Sequence, residues 1–173
     1  MSRKATPGLD SVARLKRAFL LACLPTLFVP AIAAGDLCGT TIVEDLTLDQ
    51  DLTCSGDGLI IGADGIKIDL KGHTITGSGS GVGIGVTGRT NVSIAGGTVR
   101  NFVAGVRVSN SSDVVIKGNE FQQNVDGVDC QAGCVGNTIK ENEFRDNSAR
   151  GIMLRGFSVD NVVKENRFTG KTS

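Results

Sequence analysis

The chain has 173 residues, long enough for one domain and short for two, and its 18 basic and 18 acidic residues cancel. Glycine fills 24 positions, about twice the usual ~7% share, while proline occurs three times and Trp and Tyr never. Many tight turns are implied without low-complexity disorder, and no basic excess is available to hold a nucleic acid.

Residues 1–34 carry Arg3, Lys4, Arg14, Lys16 and Arg17 against one acid, Asp10, and then an apolar run from Ala18 to Ala34. That order of charged, apolar and small residues is the order of a secretory signal, with cleavage expected near Ala33 or Ala34. The run contains Pro25 and Pro30 and is shorter than the ~20 residues that span a bilayer, so no transmembrane anchor is expected after cleavage. An uncleaved anchor helix and a lipid-bearing Cys23 are the competing readings. The remaining chain holds 13 of the basic and 17 of the acidic residues, a mildly acidic domain over 35–173. It also keeps four cysteines, Cys38, Cys54, Cys130 and Cys134, and an even count behind an export signal points to two disulfides in a secreted or periplasmic protein. The expected pairs are Cys38 with Cys54 and Cys130 with Cys134. The first encloses 15 residues, for which chain entropy predicts ~3 kcal/mol. The second could also be read as half a metal site, but two thiolates make an incomplete ligand set.

From Gly58 onward the chain repeats. Gly58, Gly81, Gly105, Gly127 and Gly151 each precede an alternating apolar pair: Leu59/Ile61, Val82/Ile84, Val106/Val108, Val128/Cys130 and Ile152/Leu154. A second column runs Leu70, Ile94, Ile116, Ile139 and Val163, and five residues on a third runs Ile75, Val99, Phe121, Phe144 and Phe168. Between them a bend position holds His73, Gly97, Asn119, Asn142 and Asn166. Alternation over three to five residues followed by a turn predicts short strands, about three in each repeat of 22–24 residues. Neither a helical periodicity nor a leucine-rich frame is present. An all-β, single-stranded parallel β-helix of about six coils follows, in which one coil alone cannot bury its inward side chains and stacking aligns them into continuous columns.

His73 is the one histidine, and at the bend it has a structural role; a general base would need a carboxylate or arginine beside it. If the apolar pairs point inward, Arg107, Asp129 and Met153 form one outward column and Ser109, Gln131 and Arg155 the next, bordered by Asp126 and Arg150. Coils stack roughly 4.8 Å apart, so Arg107, Asp126, Asp129, Arg150 and Arg155 are expected to share one patch. The plain reading of that patch is a solvated face whose alternating charges favour correct stacking. After Phe168 too few residues follow for another coil, so the domain is expected to be truncated, to dimerise end to end, or to take its cap from a partner.

The repeats NTIKENEF, Asn137 to Phe144, and NVVKENRF, Asn161 to Phe168, resemble those of right-handed, pectate-lyase-like β-helix proteins. They are also similar to repeats of nitrous-oxide-reductase maturation proteins and mannuronan epimerases. The stretch GDGLIIGADGIKIDLKGHTITG, Gly56 to Gly77, resembles the opening coils of exported bacterial β-helix proteins. The resemblance covers residues 38–170 and is specific for fold rather than activity. If it extends to chemistry, it implies a calcium-dependent polysaccharide lyase with Asp126 and Asp129 as calcium ligands and Arg150 or Arg155 abstracting the proton α to a uronate carboxylate. Arg107 and Gln131 would then hold the substrate. Two acids, each beside an arginine, fall short of the three or more oxygens calcium needs. The Asp-Pro-His-Asp box of C5-epimerases has no counterpart, and one His and two Met offer little to copper. The reading carried forward is an exported cell-envelope or extracellular scaffold that contacts an anionic polysaccharide without catalysis.

Overall fold

The computed structural model describes residues 37–170; the segment read as a signal, residues 1–34, lies outside them, as do residues 171–173. The alternating apolar runs become eighteen strands, β1 to β18 in chain order, and every third strand joins the same sheet. The first sheet contains β1 (Thr40–Ile42), β4 (Leu59–Ile61), β7 (Val82–Thr87), β10 (Ala104–Ser109), β13 (Asp126–Gln131) and β16 (Arg150–Leu154). The second contains β2 (Leu46–Thr47), β5 (Lys67–Asp69), β8 (Ser93–Ala95), β11 (Val115–Lys117), β14 (Thr138–Lys140) and β17 (Val162–Lys164). The third contains β3 (Leu52–Thr53), β6 (Thr74–Thr76), β9 (Thr98–Arg100), β12 (Glu120–Gln122), β15 (Glu143–Arg145) and β18 (Arg167–Thr169). All pairings are parallel, so six coils of three strands each stack into a solenoid. Among the described residues no helix is long and apolar enough to cross a membrane.

The core is a set of columns along the axis. In the second sheet Leu46, Ile68, Ile94, Ile116, Ile139 and Val163 lie in register, and in the third Leu52, Ile75, Val99, Phe121, Phe144 and Phe168 do. The Phe121, Phe144 and Phe168 rings stack at centroid separations of 5.2 and 5.0 Å. Each buried Leu, Ile or Phe contributes roughly 1.5–3 kcal/mol, which offsets the ordering entropy of its coil. Both expected disulfides are formed, Cys38 with Cys54 and Cys130 with Cys134.

Two columns differ from the expected ones. Leu59 pairs with Ile84 and Ile61 with Val86, so the third coil contributes Gly83 and Ile84/Val86 where the repeat predicts Gly81 and Val82/Ile84. The connection into β7 is two residues longer than those into β4, β10 and β13, and a shift of two keeps every side chain on its original face. For the same reason the alternation alone hides it. In the second sheet Ile68, not Leu70, meets Ile94. Leu70 is buried at the following bend, where a side chain on Gly97 would run into its Cβ; His73 keeps the backbone place of the bend column, its carbonyl accepting the Thr98 N–H as that of Gly97 accepts the Glu120 N–H, but its ring turns to Asp51 instead of stacking as the asparagines do.

The asparagine column is real and has two companions. Asn142 Nδ2 donates to Ile116 O at 2.9 Å and to Asn166 Oδ1 at 3.1 Å, while its own Oδ1 accepts the Asn119 backbone N–H at 2.9 Å. Asn137 and Asn161 form a second such ladder, and Asn124 and Asn147 a third. Each amide supplies backbone groups that the bend would otherwise leave buried and unpaired.

Candidate functional site

The strands of the first sheet from β7 onward have five or six residues, the longest in the solenoid, and their odd and even positions separate core from surface. Outward columns therefore run Ile60, Gly85, Arg107, Asp129, Met153, then Thr87, Ser109, Gln131; at Gly83, Gly105, Gly127 and Gly151 the alternation breaks, and before them Val82, the buried Ala104, Asp126 and Arg150 stack as a separate column. Arg155 follows β16 at the level next to Gln131.

This register brings together the residues the sequence points to. Arg107 Nε donates to Asp129 Oδ2 at 3.1 Å, and Arg155 donates from Nε to Asp129 Oδ1 at 3.3 Å and from Nη2 to Oδ2 at 3.2 Å. Arg155 Nη2 also donates to Gln131 Oε1 at 2.7 Å, and Gln131 Nε2 reaches Ser109 Oγ at 3.2 Å. Arg150 Nε lies 3.4 Å from Asp126 Oδ1, with Arg150 Nη1 against Met153 Sδ. The Arg150–Asp126 contact lacks hydrogen-bond geometry, so that carboxylate oxygen is buried without a formal partner among the described residues. Two clusters result, one around Asp129 and one around Asp126.

Burial decides what these clusters present to solvent. The Asp129 side chain is 1% exposed and that of Asp126 12%, whereas Arg107, Arg150 and Arg155 are 31%, 49% and 50% exposed. The acids lie beneath and the guanidinium groups above, so the outward charge is positive. Calcium does not fit here: both Asp129 oxygens are occupied by arginines, and among the described residues no group of three or more His, Cys, Asp or Glu is placed to hold a metal ion. Guanidinium groups stay protonated in proteins and grip carboxylates through paired N–H donors, so the chemistry this face offers is recognition of anions.

His73 has a carboxylate neighbour that the sequence reading missed. Asp51 Oδ1 accepts the Thr74 backbone N–H at 2.9 Å and stands 3.2 Å from His73 Nδ1. The pair is separated by 22 residues, one coil, and the repeat gives no sign of it because Asp51 precedes the first recognised column. The Thr74 amide, and after it His73, hold the Asp51 carboxyl below its ordinary range. Asp51 is 68% exposed, and an open ion pair of this kind does little more than pin the turn.

Cys130 takes an inward place in the column of Ile61, Val86 and Val108. Its partner Cys134 stands one residue before the bridge that joins Ser112, Val135 and Val159, where neighbouring coils have Ser111 and Ser158. Those serines close their turns by donating to Ser109 O and Arg155 O, both at 2.8 Å, and the disulfide closes the same turn covalently.

Below Arg107 the outward column is interrupted by Gly85, and the gap opens into a cleft of about 430 Å³. Ile60, Val82, Thr87, Arg89 and Arg107 are among its walls. With the glycine column assigned to Gly81, Gly85 falls out of register and the notch is invisible in the sequence.

No curated protein and no solved structure matches this chain. A family described as a right handed beta helix region matches residues 37–172, which comprise every coil described above. The chain belongs to the right-handed β-helix family.

Proposed function

We propose that this protein is an exported scaffold that docks an acidic polysaccharide on the outer face of the first sheet and does not cleave it. One observation carries the reading. On a domain with more acids than bases, the exposed charge of this face is inverted, because Asp126 and Asp129 are buried under Arg150, Arg107 and Arg155. Parallel coils repeat about every 4.8 Å, so the arginines form a short ladder along the axis, suited to an extended chain of carboxylates. Two disulfides agree with an oxidising compartment, secreted or periplasmic.

The test is retardation in native gels containing polygalacturonate, alginate or neutral dextran at two salt concentrations. Retention by the acidic polymers alone, weakening as salt rises, is expected. The triple variant Arg107→Gln, Asp129→Asn, Arg155→Gln removes the outward charge of the Asp129 cluster without stranding a buried carboxylate, and it should lose about tenfold in affinity, or about 1.4 kcal/mol. Equal retention by dextran would overturn the reading. So would unsaturated product absorbing near 232 nm, which would instead favour a lyase.

A further inference from the structure

Four glycines of the first sheet, Gly58, Gly83, Gly105 and Gly127, are there because backbone from the next coil leaves no room. A Cβ on Gly83 would approach Gly105 O to 2.5 Å, one on Gly105 would approach Gly127 O to 2.6 Å, and one on Gly127 would approach Gly151 O to 2.5 Å; one on Gly58 would run into Gly83 O, while Gly151 is blocked by the Phe168 ring. Gly85 is different. It lies in the middle of β7 at a φ that any residue adopts, and a Cβ there would meet nothing nearer than Leu59 O at 4.0 Å. A glycine inside a strand weakens it, and one that packing does not require marks a place where something else approaches the backbone.

The walls describe what that is. Ile60 on the coil before and Arg107 on the coil after stand about 9.5 Å apart along the axis, with the bare Gly85 backbone between them. The cleft of about 430 Å³ lies within the size range of small-molecule sites. At the end where β7 leaves the sheet, Arg89 Nε is buried without a hydrogen-bond partner among the described residues, and the nearest carboxylate, Asp64, is 3.9 Å from its Nη1. Arg107 commits Nε to Asp129 on one side and lines the cleft on the other. At the opposite end Asp57 accepts the Val82 N–H at 2.8 Å, and a carboxylate there can also take hydroxyl donors. Ile60 and Val82 provide apolar contact, and Thr41 and Thr87 provide hydroxyls.

We infer that the Gly85 cleft binds a single carboxylate-bearing sugar ring, its carboxylate toward Arg89 and Arg107, its hydroxyls toward Asp57, and its C–H face on Ile60. The inference rests on the acidic-polysaccharide reading for the class of ligand, but the cleft is tested separately. The ring could be one unit of the polymer or a free acidic sugar, and the experiment has an arm for each.

Backbone amide NMR spectra are recorded with D-galacturonate, its trimer and D-galactose. Galacturonate should shift the Ile60, Gly85 and Thr87 amides, with galactose at least tenfold weaker. Gly85→Leu fills the notch in open space at an unstrained φ and should abolish those shifts while leaving the thermal midpoint close to wild type. Arg89→Gln should weaken galacturonate about tenfold and leave galactose unchanged. If Gly85→Leu also weakens polygalacturonate retention, the bound ring belongs to the polymer; if it spares the polymer, the free acid is the ligand. Galacturonate shifts that persist in Gly85→Leu, equal response to galactose, or no response at saturating monomer would each overturn the inference. Wild-type protein that ignores the polymer yet binds galacturonate in the cleft would sink the scaffold reading alone.

Discussion

At the bend between the second and third sheets the second coil has Leu70, buried and apolar, whereas the later coils have Asn119, Asn142 and Asn166. The same change occurs before the second sheet, where Ile66, Val92 and Val114 give way to Asn137 and Asn161. After the third sheet, Phe102 gives way to Asn124 and Asn147. Both fillings work, but for different reasons. An aliphatic bend is held by area removed from water and tolerates a neighbour of similar volume. An amide bend is held by hydrogen bonds that reach into the coil before, and it requires the exact donor and acceptor. The two halves of the solenoid should therefore respond differently to the same kind of substitution.

Asn142→Leu should be the most damaging break. It conserves volume, yet it strands the buried Asn119 N–H and removes the amide's hydrogen bonds to the Ile116 carbonyl and to Asn166, at about 2–5 kcal/mol in urea unfolding. Leu70→Met, at the corresponding bend of the apolar half, should cost less than about 1.5 kcal/mol. Equal losses would erase the distinction. Next in size is the Cys38→Ser, Cys54→Ser pair, which removes a 16-residue cross-link from the apolar half and should cost ~3 kcal/mol without altering the amide half. Hydrogen exchange that speeds up in β1 to β4 but not in β14 to β18 would show that the effect stays local.

The smallest effect is expected at Asp51. Its folded carboxyl ionises more readily than in the unfolded chain, so its stabilisation is present above the ordinary value near 4 and fades as pH falls through the lower folded value. Asp51→Asn should thus match wild type more closely at pH 3 than at pH 6 when the two are unfolded in urea. A gap that widens on acidification would refute the assignment.

How legible these features are follows from what each depends on. Phe121, Phe144 and Phe168 are spaced 23 and 24 residues apart by the repeat itself, and they stack as the spacing requires. The convergence of Arg107, Asp129 and Arg155 follows from alternation once Val106/Val108 and Val128/Cys130 are placed inside. Their vertical order does not: that Asp129 is buried and its arginines exposed depends on side-chain lengths meeting across coils. The register of the third coil escaped because two extra residues before β7 preserve every facing. Gly85 escaped with it, since a notch is defined by the neighbours above and below. Asp51 escaped because one carboxylate outside a repeat has no periodicity to announce it.

The asparagine ladders also have a direction. Asn142 serves backbone groups of the coil that precedes it, at Asn119 and Ile116, and Asn119 serves Ile94 in the same sense. Each amide-closed coil is thus completed by residues synthesised about 23 positions later. A chain emerging amino terminus first can settle its aliphatic coils as they appear, with the Cys38–Cys54 link to hold them. Each later coil stays an incomplete edge until its successor arrives, so assembly runs one way along the axis, like a zip whose first teeth are already fastened.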